Sequence, residues 1–378
     1  MNILWFNWRD IKNPAAGGAE VFTHQVMSRL VKRGHNMTLF ASQFLNGLDY
    51  EEIDGIRIVR SGDKYSVYRK AKEYYNHNGK DYDIIVDEIN TRPFLTPTFV
   101  RDKPVLALIH QLARECLFYE LSFPLSYITY HYLEKRWLSH YKNTPIVTIS
   151  NSTRDELASF LGLENLKHIS VIPQGLSVKP LPDIPEKETI PTIAFVGRLK
   201  RYKLPDHAIE AFYLIKKKIP DLRMWVIGDG YLFKQLKKRF GDDNKDLVFF
   251  GRTKDASKYN LMAKAHVLLV PSVMEGWGLV VTEANAMGTP AVAYNVAGLR
   301  DSVRNGETGL LTKQNTPQAL AESTISLLQD NNLLHDLSRN ALAYSREFDW
   351  EKTTDGFEKL ILKINEKKMT VADVRAEA

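Results

Sequence analysis

Residues 271–290 read Pro271-Ser272-Val273-Met274-Glu275-Gly276-Trp277-Gly278-Leu279-Val280-Val281-Thr282-Glu283-Ala284-Asn285-Ala286-Met287-Gly288-Thr289-Pro290, and they follow a short apolar run, Val267 to Val270. Two glycines flank Trp277, and a segment of helical length then ends at Gly288-Thr289-Pro290. This pattern predicts a strand, a glycine loop and a helix in succession. A helix that begins near Gly278 directs its unpaired N–H groups and its positive dipole end at the loop. Such a loop is suited to bind phosphate, since glycine also lets a ligand approach the backbone closely.

Two carboxylates flank the predicted helix start. Glu275 precedes it, and Glu283 follows with seven residues between them, which places Glu283 about 80° further round a helix. Both side chains are therefore within reach of one extended ligand. Carboxylates are poor partners for the charge of a diphosphate, so we assign them to hydroxyl donors, which indicates a sugar. The alternative is an ordinary charged face on a helix.

The composition is that of a globular protein with room for two cores. The 378 residues suggest two domains, and 44% hydrophobic with 25% charged residues is typical of soluble chains. The single cysteine, Cys116, excludes an internal disulfide. No apolar run reaches the length of a membrane span, and Asn7 and Arg9 interrupt any signal-peptide core. A cytoplasmic location is expected.

The net charge of +6 favours acidic partners, among them nucleotide diphosphates, anionic lipid surfaces and nucleic acid. No basic helix or aromatic sheet motif supports nucleic acid, so we expect no nucleic-acid partner. The sequence contains no His-x-His, His-Glu-x-x-His or paired-cysteine spacing. We therefore expect no metal site.

The N-terminus predicts a βαβ unit with a glycine turn. A strand over Asn2–Trp8 leads to Gly17-Gly18, then to a helix that Gly34 ends and a strand over Met37–Ala41. The turn lacks the G-x-G-x-x-G fingerprint, and no acid ends the second strand, so a nicotinamide cofactor is not expected. The alternative for Gly17 and Gly18 is a requirement of the tight turn alone.

A later apolar strand, Pro104 to Ile109, delivers His110 to its carboxyl end, where doubly wound sheets bind ligands. The alternative is a structural histidine that closes a strand. Asp87 and Glu88 are expected to follow another strand, over residues 84–86, without an assigned role.

Four prolines among residues 177–191 mark a linker. Strands and helices alternate again from Thr192 onward, which predicts a second βαβ domain. Gly197-Arg198-Leu199 ends its first strand, and Lys203 follows. At a strand end, these two cations are placed to clamp a diphosphate. A solvated basic loop is the alternative.

Residues 118–141 interleave aromatic and basic side chains. We expect a half-buried helix that packs on its own domain. Peripheral contact with the inner face of a membrane is the alternative.

The Glu-x7-Glu spacing after a strand, with Gly-Arg-Leu and Lys203 before it, resembles the retaining glycosyltransferases of family 4. The resemblance implies the α/β GT-B fold, in which two Rossmann-like doubly wound domains face each other across a cleft. It implies an acceptor-binding domain over 1–180, a nucleotide-sugar-binding domain over 191–348, and a C-terminal helix over 349–366 that packs back on the first domain. Leu204 stands where the family usually has glycine, which puts the path of that loop in doubt.

The resemblance also implies roles for individual residues. Those expected to act in catalysis are His110, Arg198, Lys203 and Glu275. Those expected to bind the donor or its nucleotide are Gly17, Gly18, Gly197, Gly228, Arg252, Gly276, Trp277, Gly278, Leu279, Val280 and Glu283.

The expected reaction is metal-independent transfer of a sugar, with retention, from a nucleotide-diphosphate sugar to a glycan or lipid-linked acceptor in surface polysaccharide or glycoconjugate synthesis. UDP or GDP is the expected nucleotide, and no cofactor is expected. The alternatives are a nucleotide-sugar 2-epimerase and an inactive nucleotide-sugar-binding subunit.

Overall fold

The structure, a computed structural model, describes the backbone of residues 1–162, 169–241 and 244–376, with side chains as far as 366. The chain divides into two compact units. The first comprises residues 1–114, 127–175 and the chain from 349 onward. The second comprises residues 115–126 and 176–348.

The described elements alternate between strands and helices. The strands are β1 (Asn2–Phe6), β2 (Asn36–Ala41), β3 (Tyr50–Ile53), β4 (Ile56–Arg60), β5 (Ile84–Ile89), β6 (Val105–Ile109), β7 (Ile146–Thr148), β8 (Ile169–Val171), β9 (Thr192–Val196), β10 (Arg223–Ile227), β11 (Leu247–Gly251), β12 (Val267–Val270), β13 (Ala291–Ala293) and β14 (Gly309–Leu311). The helices are α1 (Gly18–Lys32), α2 (Val67–Asn78), α3 (Cys116–Glu120), α4 (Leu125–Ile128), α5 (Glu134–Ser139), α6 (Asn151–Leu161), α7 (Pro205–Lys216), α8 (Phe233–Phe240), α9 (Asp255–Lys264), α10 (Leu279–Ala286), α11 (Leu299–Ser302), α12 (Pro317–Gln329), α13 (Asn331–Ser345) and α14 (Trp350–Ala376).

The first unit is built on a sheet with the strand order β3-β4-β2-β1-β5-β6-β7-β8. Its neighbouring strands are parallel except β3 and β4, which pair antiparallel at the edge. The central strand β1 is buried on both faces from Ile3 to Phe6, as a strand covered by helices on both sides must be. The predicted βαβ unit is confirmed, although its first strand ends at Phe6.

The C-terminal helix α14 belongs to this first unit. Arg33 of the first unit pairs with Glu351 and Glu358 of α14. Phe357 of the same helix stacks on Trp5, with the ring centroids 5.0 Å apart. The family resemblance implied a helix over 349–366, whereas the backbone is helical to Ala376.

The second unit contains a parallel sheet with the strand order β11-β10-β9-β12-β13-β14. The predicted alternation from Thr192 onward is confirmed, and the strand predicted over 267–270 has those bounds. Apolar side chains of β9, α7 and β10 form a continuous core on one face of this sheet.

The expected linker over 177–191 contains no helix or strand, and it packs on the second unit. The Lys187 ammonium donates hydrogen bonds to the carbonyl oxygens of Ala263 and Gly288 and to the Thr289 hydroxyl, at 2.9, 2.9 and 2.8 Å. Burial lowers the pKa of Lys187 to about 7. The three acceptors match the three N–H donors of the ammonium form, which ties the segment to α9 and to the turn before β13.

The first domain was expected over 1–180, but residues 115–126 belong to the second unit. Tyr119 of this segment packs against the core of the second unit, and Glu120 accepts a hydrogen bond from the Tyr231 hydroxyl at 2.9 Å. Burial raises the pKa of the Cys116 thiol to about 12, so the thiolate that would react is disfavoured.

The half-buried helix expected over residues 118–141 is found over 125–139, where α4, a π-helical part over Thr129–Leu133 and α5 follow without a break. The helix α3 precedes it as a separate short helix. The aromatic side chains of this segment differ in exposure. Tyr141 is fully buried, whereas Phe123 and Tyr132 are 81% and 65% exposed. Among the described helices, none is both long and apolar enough to cross a membrane.

Candidate active site

The glycine loop after β12 connects directly to α10. The helix begins at Leu279, and Gly278 caps it with φ of 89°, in the left-handed region that favours glycine. The predicted helix start is therefore confirmed. The N–H groups of Leu279 and Val280 lie in the first turn, where no acceptor exists within the helix. This end of α10 is suited to hold an anion.

Glu275 lies in this loop with its side chain buried. Its Oε1 accepts hydrogen bonds from the Ser272 hydroxyl, at 2.7 Å, and from the Lys203 ammonium. These contacts leave Oε2 for a further donor such as a sugar hydroxyl. Two residues that the sequence assigned to one site, Lys203 and Glu275, are thus brought into direct contact within the second unit.

Lys203 is presented by a 3₁₀ turn, Arg201–Lys203, that precedes α7. Burial is the largest single effect on its pKa and lowers it, but the adjacent Glu275 carboxylate and Tyr202 together more than offset burial, so the pKa is raised and the ammonium stays charged. Arg198, near enough to oppose that rise, donates from Nη2 to the Tyr202 hydroxyl at 3.4 Å. Two cations therefore lie at the carboxyl end of β9.

Leu204 occupies the left-handed region with φ of 47°, the conformation that glycine adopts most easily. Its side chain is buried in the core of the second unit, which offsets part of that conformational cost. The loop thus takes the turn that the unusual residue had put in doubt.

Gly197 and Gly228 bring the ends of β9 and β10 together. A Cβ on Gly228 would lie 1.9 Å from the carbonyl oxygen of Gly197, and φ of Gly228 is 134°. Glycine at this position is therefore required by backbone packing. Neither residue's predicted donor contact is tested by this geometry.

Glu283 lies on α10 and is held by two donors from α9. Its Oε1 accepts from the Lys258 ammonium at 2.9 Å and from the Tyr259 hydroxyl at 3.2 Å. Burial raises the pKa of Glu283, and Lys258 opposes that rise. Oε2 takes no part in these two contacts, so Glu283 retains an oxygen for the hydroxyl that the sequence analysis assigned to it.

A cleft of about 440 Å³ lies in the second unit at the carboxyl ends of β10 and β11. It is lined by Asp229, Gly230, Tyr231, Phe233, Lys234, Gly251 and Arg252. Arg252, predicted to bind the donor or its nucleotide, is part of this lining. The remaining predicted residues of the loop, Gly276 and Trp277, are buried beside Glu275, and the Trp277 ring packs edge-on against Phe348.

In the first unit, Gly17 caps the start of α1. Its φ of −147° is an extended conformation that any residue adopts, so the tight-turn interpretation does not explain this glycine. Its N–H donates to the Glu20 carboxylate at 2.6 Å. Gly18 is the first residue of the helix and is exposed.

His110 follows β6, as predicted, and is almost fully buried. Its Nε2 lies 2.9 Å from Oε1 of Glu88. The expectation that Asp87 and Glu88 follow their strand is wrong, because both lie inside β5 and are buried.

Sequence reasoning missed several residues of these sites. Ser272 belongs to the quoted motif. Its hydroxyl, three residues before Glu275, could have indicated a hydrogen bond to that carboxylate. Nothing in the sequence indicated the contacts of Lys258 and Glu88, because each contacts a residue more than 20 positions away. Among the described residues, no group of three His, Cys, Asp or Glu side chains is placed to hold a metal ion.

Two doubly wound α/β units, with cations and a helix N-terminus at the carboxyl edge of the second sheet, define the GT-B class of glycosyltransferase folds. The family profile described as Glycosyltransferase Family 4 matches residues 16–179, and the one described as Glycosyl transferases group 1 matches residues 181–343. The chain belongs to the family 4 glycosyltransferases.

Known proteins resemble the chain in sequence and, separately, in structure. An uncharacterized glycosyltransferase of Methanocaldococcus jannaschii is 33% identical over 167 residues, which cover 44% of this chain and 46% of that protein. The chain spans about half the length of the curated relatives it matches. Sucrose-phosphate synthase from Thermosynechococcus elongatus superposes with a TM-score of 0.78 at 20% identity, covering 96% of this chain and 98% of that one. The Anabaena protein HepE, solved with UDP-glucose, has a TM-score of 0.70 at 18% identity, covering 96% and 100%.

Proposed function

We propose that this protein is a retaining, metal-independent glycosyltransferase that uses a nucleotide-diphosphate sugar. The observation that carries the proposal is the cluster formed by Lys203, Glu275 and the N-terminus of α10. It places a charged ammonium and unpaired amides beside a carboxylate with one free oxygen. Such a cluster suits a ligand that is anionic at one end and rich in hydroxyls at the other.

The proposed mechanism depends on where charge develops as the bond between sugar and phosphate breaks. Breaking the bond between sugar and phosphate leaves an oxocarbenium-like centre and adds negative charge to the diphosphate. Arg198, Lys203 and the amides of α10 stabilise that charge, and they need little reorganisation because packing holds them in place. Glu275 holds hydroxyls of the donor sugar, and Glu283 holds the ribose. The acceptor attacks from the face that the phosphate leaves, and the departing phosphate takes the acceptor's proton.

The proposed acceptor is a glycan or a lipid-linked glycan at the inner face of a membrane. Exposed aromatic side chains at Phe123 and Tyr132 favour the membrane-contact alternative for that segment. The structure of HepE with UDP-glucose supports UDP as the first nucleotide to test, with GDP the second.

The first test is thermal unfolding with UDP, GDP, ADP or dTDP, each with excess EDTA. A ligand at 100 times its Kd stabilises a protein by about 2.7 kcal/mol. We expect one of these nucleotides to raise the unfolding temperature and the EDTA to leave that shift unchanged. A shift that requires added divalent metal would contradict metal-independent binding. No shift with any nucleotide, in folded protein, would favour the inactive-subunit alternative.

The role of Glu283 is tested by the substitution Glu283→Gln. We expect the affinity for the nucleoside diphosphate itself to fall about 10-fold, because the neutral amide weakens a charged hydrogen bond to the ribose. Isothermal titration calorimetry measures this directly, with no sugar or acceptor present. Glu307→Gln, an exposed change of equal charge, is the control. Unchanged nucleotide affinity in Glu283→Gln would rule out the ribose contact.

A further inference from the structure

The carboxylate of Glu88 lies at the centre of a buried hydrogen-bond network in the first unit. Its Oε2 accepts from the Trp5 indole N–H at 2.7 Å and from the Thr23 hydroxyl, and its Oε1 lies 2.9 Å from His110 Nε2. Glu88 is 1% exposed. The three partners of this buried carboxylate come from separate parts of the chain, so its hydrogen bonds fix the positions of all three side chains.

The network assigns the proton on His110. A carboxylate only accepts hydrogen bonds, so Nε2 of His110 must be the protonated nitrogen that donates to Glu88. The Phe22 ring packs against the imidazole, with centroids 5.3 Å apart and planes at 83°. The ring is therefore held both by a hydrogen bond and by packing, and Nδ1 is the nitrogen left for a ligand.

We propose that Glu88 is the positioning residue for His110, and that it holds the imidazole so that Nδ1 accepts a hydrogen bond from a hydroxyl of the donor sugar or the acceptor. This inference rests on the proposed function and on the catalytic role that the family resemblance implies for His110. Glu88 acts through His110, because its own oxygens are occupied by Trp5, Thr23 and the histidine.

The neighbouring Asp87 provides a matched comparison. Successive residues of a strand point to opposite faces of the sheet, so Asp87 faces away from His110. It accepts from the Thr96 hydroxyl at 2.7 Å and from the Tyr141 hydroxyl at 2.5 Å. Burial raises its pKa. Asp87 thus shares the strand, the burial and the charge type of Glu88 but not the contact with His110.

The decisive variant is Glu88→Gln. The Trp5 indole can only donate, so it requires the amide oxygen of the new side chain at the position of Oε2. The amide NH₂ then faces His110 and turns Nε2 into an acceptor, which moves the ring proton to Nδ1. We expect ¹⁵N spectra at pH 8 to show His110 protonated on Nε2 in the wild type and on Nδ1 in the variant. The His110→Gln spectrum assigns the resonance.

The same variant is expected to lose roughly 10-fold or more in kcat/KM, the factor that one lost hydrogen bond is worth. Asp87→Asn is expected to keep the wild-type tautomer of His110. A wild-type ring protonated at Nδ1, alone or together with Nε2, would overturn the inference without any variant. So would a Glu88→Gln protein that changes tautomer and keeps full activity. Absence of transferase activity in the wild type would instead overturn the proposed function, and with it the ligand contact of His110.

Discussion

Replacing Arg198 or Lys203 by alanine is expected to lower kcat by about 10²-fold or more. Both cations lie at the carboxyl end of β9, where they face the diphosphate in the proposed reaction. Their interaction grows as the sugar leaves, because the negative charge on the phosphate grows at the same time. Removing an interaction that strengthens in the transition state lowers kcat together with kcat/KM.

The measurement is steady-state kinetics of sugar transfer, and Arg201→Ala is the control. Arg201 lies in the same 3₁₀ turn and is exposed, so its loss changes the net charge equally without removing a cation of the proposed diphosphate site. Lys203→Ala also leaves the buried Glu275 without its charged partner, so the fold of this variant must be checked by circular dichroism. A change confined to KM in both variants would show that the cations bind the ground state only.

Gly298→Ala is expected to disturb the glycine loop most strongly among single methyl additions. A Cβ at this position would lie 2.2 Å from the carbonyl oxygen of Glu275 and 2.7 Å from the carbonyl carbon of Gly276. Neither backbone atom can move without displacing the loop. A left-handed φ of 75° adds to the cost. We expect a loss of stability of about 2–5 kcal/mol, the sum of a strained φ and an overpacked contact.

Gly306→Ala is the matched control for Gly298→Ala. Its φ is 78°, almost the same, but a Cβ there meets nothing within 4 Å. Urea denaturation should therefore show a loss of only about 1–2 kcal/mol for Gly306→Ala. Nucleotide-sugar binding should also weaken in Gly298→Ala alone, because Glu275 moves with its backbone. Equal losses of stability in the two variants would mean that the loop accommodates the methyl group.

Structural features that depend on neighbouring residues in the chain were predicted from the sequence. The strands at β9 and β12, the helix start at Leu279 and the position of His110 after β6 were all predicted, because each depends on periodicity and on glycine or proline nearby. The linker over 177–191, which contains no helix or strand, was predicted for the same reason. Proline content describes the absence of regular structure, but it says nothing of what the segment packs against.

The sequence by itself therefore determined the family, the two doubly wound sheets and the residue types of the proposed diphosphate site. Only the tertiary structure decided that Lys203 pairs with Glu275, that Lys258 holds Glu283 and that Glu88 contacts His110. The physical reason is that a helix or strand is specified by its own neighbours along the chain. A buried polar contact is specified instead by which strands lie side by side, and that order is fixed when distant segments bury their apolar faces together.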